Sequence, residues 1–277
     1  MFLYPTPNNR DFALSLKKRN PKLKVIRLEQ SKFKGGPLTK VVNLGNFNDL
    51  NAFKTCTVVN APKTLQKYSS KGKIFEELSG TGLCPKVIKD PQEALELLYE
   101  GETLSNFLPK KDVNSVAQII NSNNLSLYVK PSYISLYRVH ITKTGVLGVD
   151  KGVKSSYSDY KFSVKNVGEL PDGLWDFSKK CFNRLEGIDF CQLHIGYNAY
   201  KDSFHLDDIK FDFGNFCERI NSAYIKKVLG LKPIKSTKSF NLGKTIGGAH
   251  IEMAIVDEDV TYIVDEDVNY VDIETFE

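Results

Sequence analysis

The sequence predicts an α/β fold assembled from α+β subdomains, and three observations carry that prediction. Strand-like and helix-like stretches alternate over the first 90 residues, which indicates a mainly parallel sheet with covering helices. A long segment from Leu127 to Gly214 reads as two β-hairpins around a helix. The composition is globular, with 41% hydrophobic and 26% charged residues in 277. A chain of this length buries a large core and divides into subdomains, expected at 1–90, 91–130, 131–244 and 245–277.

In order, Phe2 to Tyr4 is a short strand, and Asn8 or Asn9 caps a helix that runs through Arg19. Strands follow at Lys24 to Glu29, at TKVVNLGNF ending at Gly45, and at Cys56 to Asn60. Ala61 to Leu78 is expected to be helical apart from Gly72, closing at Gly80 and Gly82. The stretch LYEGETLSNFLPKKDVNSVAQIINSNN is expected to be partly helical from Val113 to Ile120. Trp175, Phe177, Cys181, Phe182 and Leu185 repeat at the spacing of a buried helix face.

The strands after residue 127 hold polar residues among apolar ones. Arg138, His140, His194, Asp208 and Lys210 all have apolar neighbours. In FHLDDIKFDFG, alternation sets Asp208, Lys210 and Asp212 on one face and Ile209, Phe211 and Phe213 on the other. An acid and a base on one strand face belong to a site, to an ion pair, or to a solvated edge.

Other features narrow the class. Five widely spaced cysteines without a CxxC pair read as reduced core thiols rather than disulfides or a zinc site. Cys191 lies beside the site strand but has no neighbour that marks a reactive thiolate. His205 reads as a packed or surface histidine. No apolar run reaches the roughly 18 residues of a membrane span. The N-terminal FLYPTPNNRD has no basic region leading into an apolar one, so neither a secretory signal nor membrane association is expected.

The net charge of +5 conceals a division. Residues 245–277 carry ten acids and no Lys or Arg, leaving the rest with 38 Lys and Arg against 23 acids, a net +15. The tail repeats IVDEDVTY as IVDEDVNY at Ile263. It either forms short edge strands or stays extended until a basic partner or second copy orders it. The basic body is compatible with nucleic acid or another polyanion, or is simply a solvated lysine-rich surface.

VVNAPKTLQKYSSKGKIFEELSGTGLCPKVIKDPQEAL, SKFKGGPLTKVVNLGNF and LYVKPSYISLYRVHI together resemble the ATP-grasp proteins, in particular those encoded by tailed bacteriophages, over about residues 1–225. The resemblance implies an ATP-grasp-like fold with an acidic C-terminal extension. In that family two subdomains clamp ATP, and Mg²⁺ assists phosphate transfer to a carboxylate, giving an acylphosphate that an amine attacks. It implies a candidate catalytic pair, Arg138 and His140, at R-V-H. It further implies candidate cofactor-binding lysines Lys71, Lys130, Lys151 and Lys154, and a candidate metal ligand, Asp208. The compartment it implies is the cytoplasm of an infected host cell, or the virion.

The departures from the family bear on chemistry. The glycine-rich phosphate lid is replaced by a stretch with a single glycine, Gly101. His194 stands where the family has an aspartate, and Lys210 stands where it has an asparagine. An ammonium there opposes a magnesium ion, which prefers oxygen ligands, so Lys210 is expected to pair with Asp208 or Asp212. Three readings follow: a catalytically degenerate scaffold without cofactor, a divergent ATP- and Mg²⁺-dependent carboxylate–amine ligase, or a polyanion binder.

Overall fold

The computed structural model describes residues 1–26, 33–107, 112–113, 115–120, 126–133, 135–154, 160–164, 169–211 and 222–232, with short tail segments at 245–246, 249–250, 263–264 and 270–271. The architecture is built on three principal sheets with helices packed between and around them.

The first sheet is parallel, in the order β2-β1-β3-β4, with β1 at Phe2–Pro5, β2 at Lys24–Val25, β3 at Lys40–Leu44 and β4 at Thr57–Val59. The alternation of strands and helices predicted this pairing. Helix α1 spans Arg10–Arg19 and buries Phe12, Ala13 and Leu16 against this sheet. Asn9 precedes it as expected, yet its side chain does not cap the helix. It turns inward and donates to the carbonyls of Leu44 (2.7 Å) and Phe211 (3.2 Å). Thr6 caps the 3₁₀ turn Pro7–Asn9 that leads into α1, accepting from the Asn9 N–H at 3.2 Å. The strand expected through Glu29 is described only at Lys24–Val25, and residues 27–32 lie outside the described residues.

The expected helix from Ala61 to Leu78 is two helices, α2 at Pro62–Gln66 and α3 at Lys71–Glu77. The break falls at Lys67 to Ser70 rather than at Gly72, because the Ser70 hydroxyl accepts the Lys73 N–H (3.4 Å) and starts a new helix. Gly72 lies within α3, where an added Cβ would meet the Phe107 ring at 3.7 Å.

The second sheet is antiparallel, in the order β5-β8-β6-β7, with β5 at Val87–Ile88, β6 at Leu104–Asn106, β7 at Asp112–Val113 and β8 at Leu127–Val129. Helices α4 (Pro91–Tyr99) and α5 (Val116–Ile120) accompany it. The stretch expected to be helical from Val113 therefore begins as a strand, since Val113 pairs with Leu104, and only Val116–Ile120 is helical. This sheet has its own small core of Ile88, Ala94, Leu104, Val113, Ile119 and Leu127. Phe107 and Tyr128 join it to Phe75 of α3, with ring centroids 4.8 to 5.6 Å apart.

The third sheet carries the polar strands. Its order is β11-β10-β9-β12-β13, all antiparallel, with β9 at Ser135–Thr142, β10 at Gly145–Lys154, β11 at Tyr160–Val164, β12 at Phe190–Asn198 and β13 at Ser203–Lys210. Helix α6 (Leu174–Asn183) lies between the two hairpins. One face of this sheet, through Tyr137, Val139, Ile141, Leu193, Ile195 and Ile209, packs on α3 and α6 in the largest core. Each fully buried side chain of this kind contributes about 1.5–3 kcal/mol.

Asparagines join the first sheet to the third. Asn60 is fully buried at φ 55°, just after β4. Its side chain accepts the Asp189 N–H (2.8 Å) and donates to the Phe190 carbonyl (2.8 Å), and its own N–H donates to Asp189 Oδ2 (3.0 Å). Tail segments Ile263–Val264 and Tyr270–Val271 pair as antiparallel strands. No helix among the described residues is long and apolar enough to cross a membrane.

Candidate functional site

The register of the third sheet determines what meets on its polar face. Asp150, Arg138, His194 and Asp208 are successive partners across β10, β9, β12 and β13, and His140, Gln192 and Lys210 form the next row. Arg138 donates from NH2 to Asp150 Oδ2 at 3.0 Å. His140 Nε2 lies 3.4 Å from that same oxygen and 3.4 Å from Gln192 Nε2, so it donates to the one or accepts from the other. His194 Nε2–H donates to Gln192 Oε1 at 2.7 Å. Lys210 donates to Asp208 Oδ2 at 2.7 Å, and Asp208 Oδ1 accepts the Ile209 N–H at 2.9 Å.

Charge follows from burial and neighbours. Asp150 is raised by burial, but the hydrogen bond with His140 and the charge and hydrogen bond of the Arg138 guanidinium outweigh this and hold it below the ordinary carboxylate range. Burial lowers His140 against the pull of Asp150, leaving a neutral ring. Tyr224 stands edge-on to that ring with centroids 6.3 Å apart. Burial brings His194 and His205 each down to about 4, against the opposing charges of Asp207 and, for His194, Asp208.

These depressed histidines make stability depend on pH. The unfolded chain takes up protons on both rings below about 6.5, whereas the folded chain does so only near 4. The folded state binds fewer protons between those values, so stability falls as pH drops through that window. After allowance for partial solvent exposure the loss is about 2–4 kcal/mol in total. Urea midpoints at pH 7 and pH 4.5 check this, and a pH-independent midpoint refutes it.

The strand β13 departs from strict alternation. His194 pairs with Asp208 and Ile195 with Leu206, so Asp207 is an extra residue in a β-bulge. The bulge lets Leu206, Ile209 and Phe211 all face the core. It also frees Asp207 to take Lys71 from α3 at 2.7 Å. Lys71 lies 4.7 Å from the Tyr128 ring centroid and 5.3 Å from that of Phe75. Burial lowers its pKa, but the charge and hydrogen bond of Asp207 prevail and raise it overall.

A cleft of about 620 Å³ opens where β13 meets α3 and the loops after β1 and β3. Lys71, Lys73, Asp208 and Lys210 line it, with Phe47, Tyr68, Phe107 and Phe211 as its aromatic surfaces.

The candidate residues thus separate. Arg138, His140 and Asp208 share the polar face, but His140 is fully buried and only Asp208 reaches the cleft. Lys71 reaches the cleft, though it is paired with Asp207. Lys130 pairs with Asp112 of β7 at 2.7 Å. Lys151 lies on the opposite sheet face, 5.7 Å from the Tyr137 ring centroid, away from Arg138. Lys154 is placed in β10 by its backbone, and its side chain lies outside the described residues, as do Asp212 and Cys217. Cys84, Cys181 and Cys191 are free, and burial raises all three thiols, so they match the inert core thiols expected.

Sequence reading missed Asp150, Asp207 and Gln192. Asp207 had a signal: the apolar spacing Phe204, Leu206, Ile209, Phe211 skips one residue, as a bulge requires. The residues do not fit a magnesium ion, because Asp208 already holds an ammonium on one oxygen and a backbone N–H on the other, and His194 offers nitrogen.

No family model matches the sequence, and no curated protein matches it. Solved structures do match. The ATP-grasp ligase PsnB, complexed with minimal precursor, Mg and ADP, is similar with a TM-score of 0.57 at 11% identity, covering 76% of this chain and 88% of that one. N5-carboxyaminoimidazole synthase from Aspergillus clavatus, complexed with ADP and 5-aminoimidazole ribonucleotide, is similar with a TM-score of 0.57 at 14% identity, covering 83% and 77%. Macrocyclase MdnC from Microcystis aeruginosa MRC, bound with the precursor peptide MdnA, is similar with a TM-score of 0.56 at 10% identity, covering 83% and 100%. At such identities the likeness speaks for the fold alone, and this chain has the ATP-grasp fold.

Proposed function

We propose that this chain is a binding protein on an ATP-grasp fold, with the family's chemistry lost, in which Lys210 supplies the positive charge that a divalent cation would bring. The supporting observation is the 2.7 Å ion pair between Lys210 and Asp208 at the cleft. A fixed ammonium beside the carboxylate satisfies it without metal and repels a second cation. The other lysines support the same reading, since Lys71 and Lys130 are each held by an aspartate and Lys151 points away from the face of Arg138. A phage origin, with residence in the infected cell or the virion, has the sequence resemblance as its support.

The second reading is an ATP-dependent carboxylate–amine ligase. It is favoured by neighbours that are ATP-grasp ligases solved with Mg and ADP, and by the presence here of Lys71, Arg138 and Asp208. Calorimetric titration of ATP with and without Mg²⁺, followed by assay for ADP, separates the two. The binding-protein reading expects any ATP affinity to change less than about twofold with Mg²⁺, with no ADP formed. Mg²⁺-dependent ATP binding with ADP release in the presence of a carboxylate and an amine overturns it.

A further inference from the structure

We propose that the acidic repeat at residues 255–270 docks on a basic surface of its own chain, where the end of α1 meets residues 222–232. None of the lysines of this surface lines the cleft, so the inference stands whatever the cleft binds.

The surface is assembled from two segments distant in sequence. Phe12, Ala13 and Leu16 of α1 share a core with Ala223, Tyr224, Ile225 and Leu229. Arg19 donates from NH1 to Ser222 Oγ at 2.7 Å, and the Asn20 side chain donates to the Lys232 carbonyl at 3.4 Å. With the apolar faces turned inward, Lys17, Lys18, Lys22, Lys226, Lys227 and Lys232 are exposed. None of these six pairs with a carboxylate among the described residues. Residues 10–26 and 222–232 together hold nine Lys and Arg and one acid, Asp11, which sits in the first turn of α1, at the far end from the lysines. The dipole of α1 favours cations in its last turn. Lys22, Lys226, Lys227 and Lys232 lie outside that helix and add like charge to it.

The counter-charge is present in the same chain. The units IVDEDVTY and IVDEDVNY each set three acids between β-branched ends, so six acids stand against six lysines. Ile263 pairs with Val271 and Val264 with Tyr270, which puts Asp265, Glu266 and Asp267 in the connection between those two strands. Ile263–Val264 lies beside β10, and β10 contributes Leu147 to the core that holds Ala223, Tyr224 and Ile225. The repeat thus meets the body at a strand that packs on the basic segment. Leu14, 43% exposed, stands on the same face of α1 as Lys17 and Lys18, at i+3 and i+4, and offers the β-branched residues of a unit an apolar contact beside the charges. Lys232 belongs to the surface and the repeat begins 23 residues later, which holds the repeat within about 80 Å of it. A short tether gives an effective concentration of about a millimolar, above that of a second copy in dilute solution, so the occupant is the chain's own repeat.

The test is carbodiimide cross-linking of the full chain in dilute solution, which joins lysine to carboxylate only where the two touch, read by mass spectrometry of the monomer band. Links from residues 257–267 to the six lysines are expected, at least about fivefold more abundant than links to Lys179 and Lys180, exposed lysines of α6. Raising NaCl to about 1 M, where the screening length is about 3 Å, is expected to remove the excess. Links confined to a dimer band make a second copy the occupant; links spread evenly over the exposed lysines, or none, leave the surface without the repeat. Each of these overturns the proposal. Heparin chromatography covers the remaining occupant, an external polyanion. Neutralising the repeat with Asp257→Asn, Glu258→Gln, Asp259→Asn, Asp265→Asn, Glu266→Gln and Asp267→Asn is expected to raise the salt needed for elution. Adding Lys226→Gln and Lys227→Gln is expected to remove roughly half of that gain or more, whereas the same two changes in the parent, where the repeat covers them, shift elution little. Lysine changes that weaken the parent as much as the neutralised chain, or a gain that they leave untouched, overturn the proposal.

Discussion

Asn60→Ala is expected to destabilise the protein by about 3–5 kcal/mol, through the joint between the first and third sheets. Asn60 is fully buried, and its side chain satisfies the Asp189 N–H and the Phe190 carbonyl, each at 2.8 Å. Truncation takes this partner from the buried Phe190 carbonyl and from the part-buried Asp189 N–H, and each such loss costs about 1–3 kcal/mol. The backbone adds to this, because φ is 55° and asparagine tolerates that left-handed conformation better than alanine. Asn60→Gly relieves the backbone strain but not the lost bonds, so it is expected to be about 1 kcal/mol milder. Urea unfolding at pH 7 checks both. A loss below about 1 kcal/mol for the alanine variant refutes the role given to this residue.

Asp150→Ala is expected to cost about 3 kcal/mol. The carboxylate is 7% exposed and serves both Arg138 at 3.0 Å and His140 at 3.4 Å. Its removal takes from a half-buried guanidinium the carboxylate it meets at 3.0 Å, and losing one member of a buried pair is costlier than replacing both by apolar groups. The double variant Asp150→Leu with Arg138→Met replaces both charges by apolar groups of similar bulk, and it is expected to recover at least half of the loss. Denaturant midpoints of the single and double variants test this coupling. A double variant as unstable as the two separate losses combined shows that the pair does not act as a unit.

The fold was largely legible because its signals are local. The period-two pattern around Arg138 and His140, and the apolar spacing in α6, each name a face that must be buried, and burial then admits few sheet arrangements. Where local signals competed, reading failed. Gly72 looked like the helix break, yet Ser70 supplied a capping oxygen and Gly72 remained in α3 beside the Phe107 ring. Asn9 looked like a cap, yet two carbonyls distant in sequence claimed its side chain. Val113 looked helical until it found Leu104 to pair with.

The chain alone determined which strands carry charge on a buried sheet, and that Lys210 would answer to an aspartate two positions away, because residues i and i+2 of a strand share a face whatever lies around them. Only the tertiary structure decided which charges meet across strands. Asp150 found Arg138 through the hairpin register, and Asp207 found Lys71 because a bulge opposite β12 turned one extra residue toward α3. Register and bulge position are set by how two distant segments pack their apolar faces together, and that information does not reside in either segment by itself.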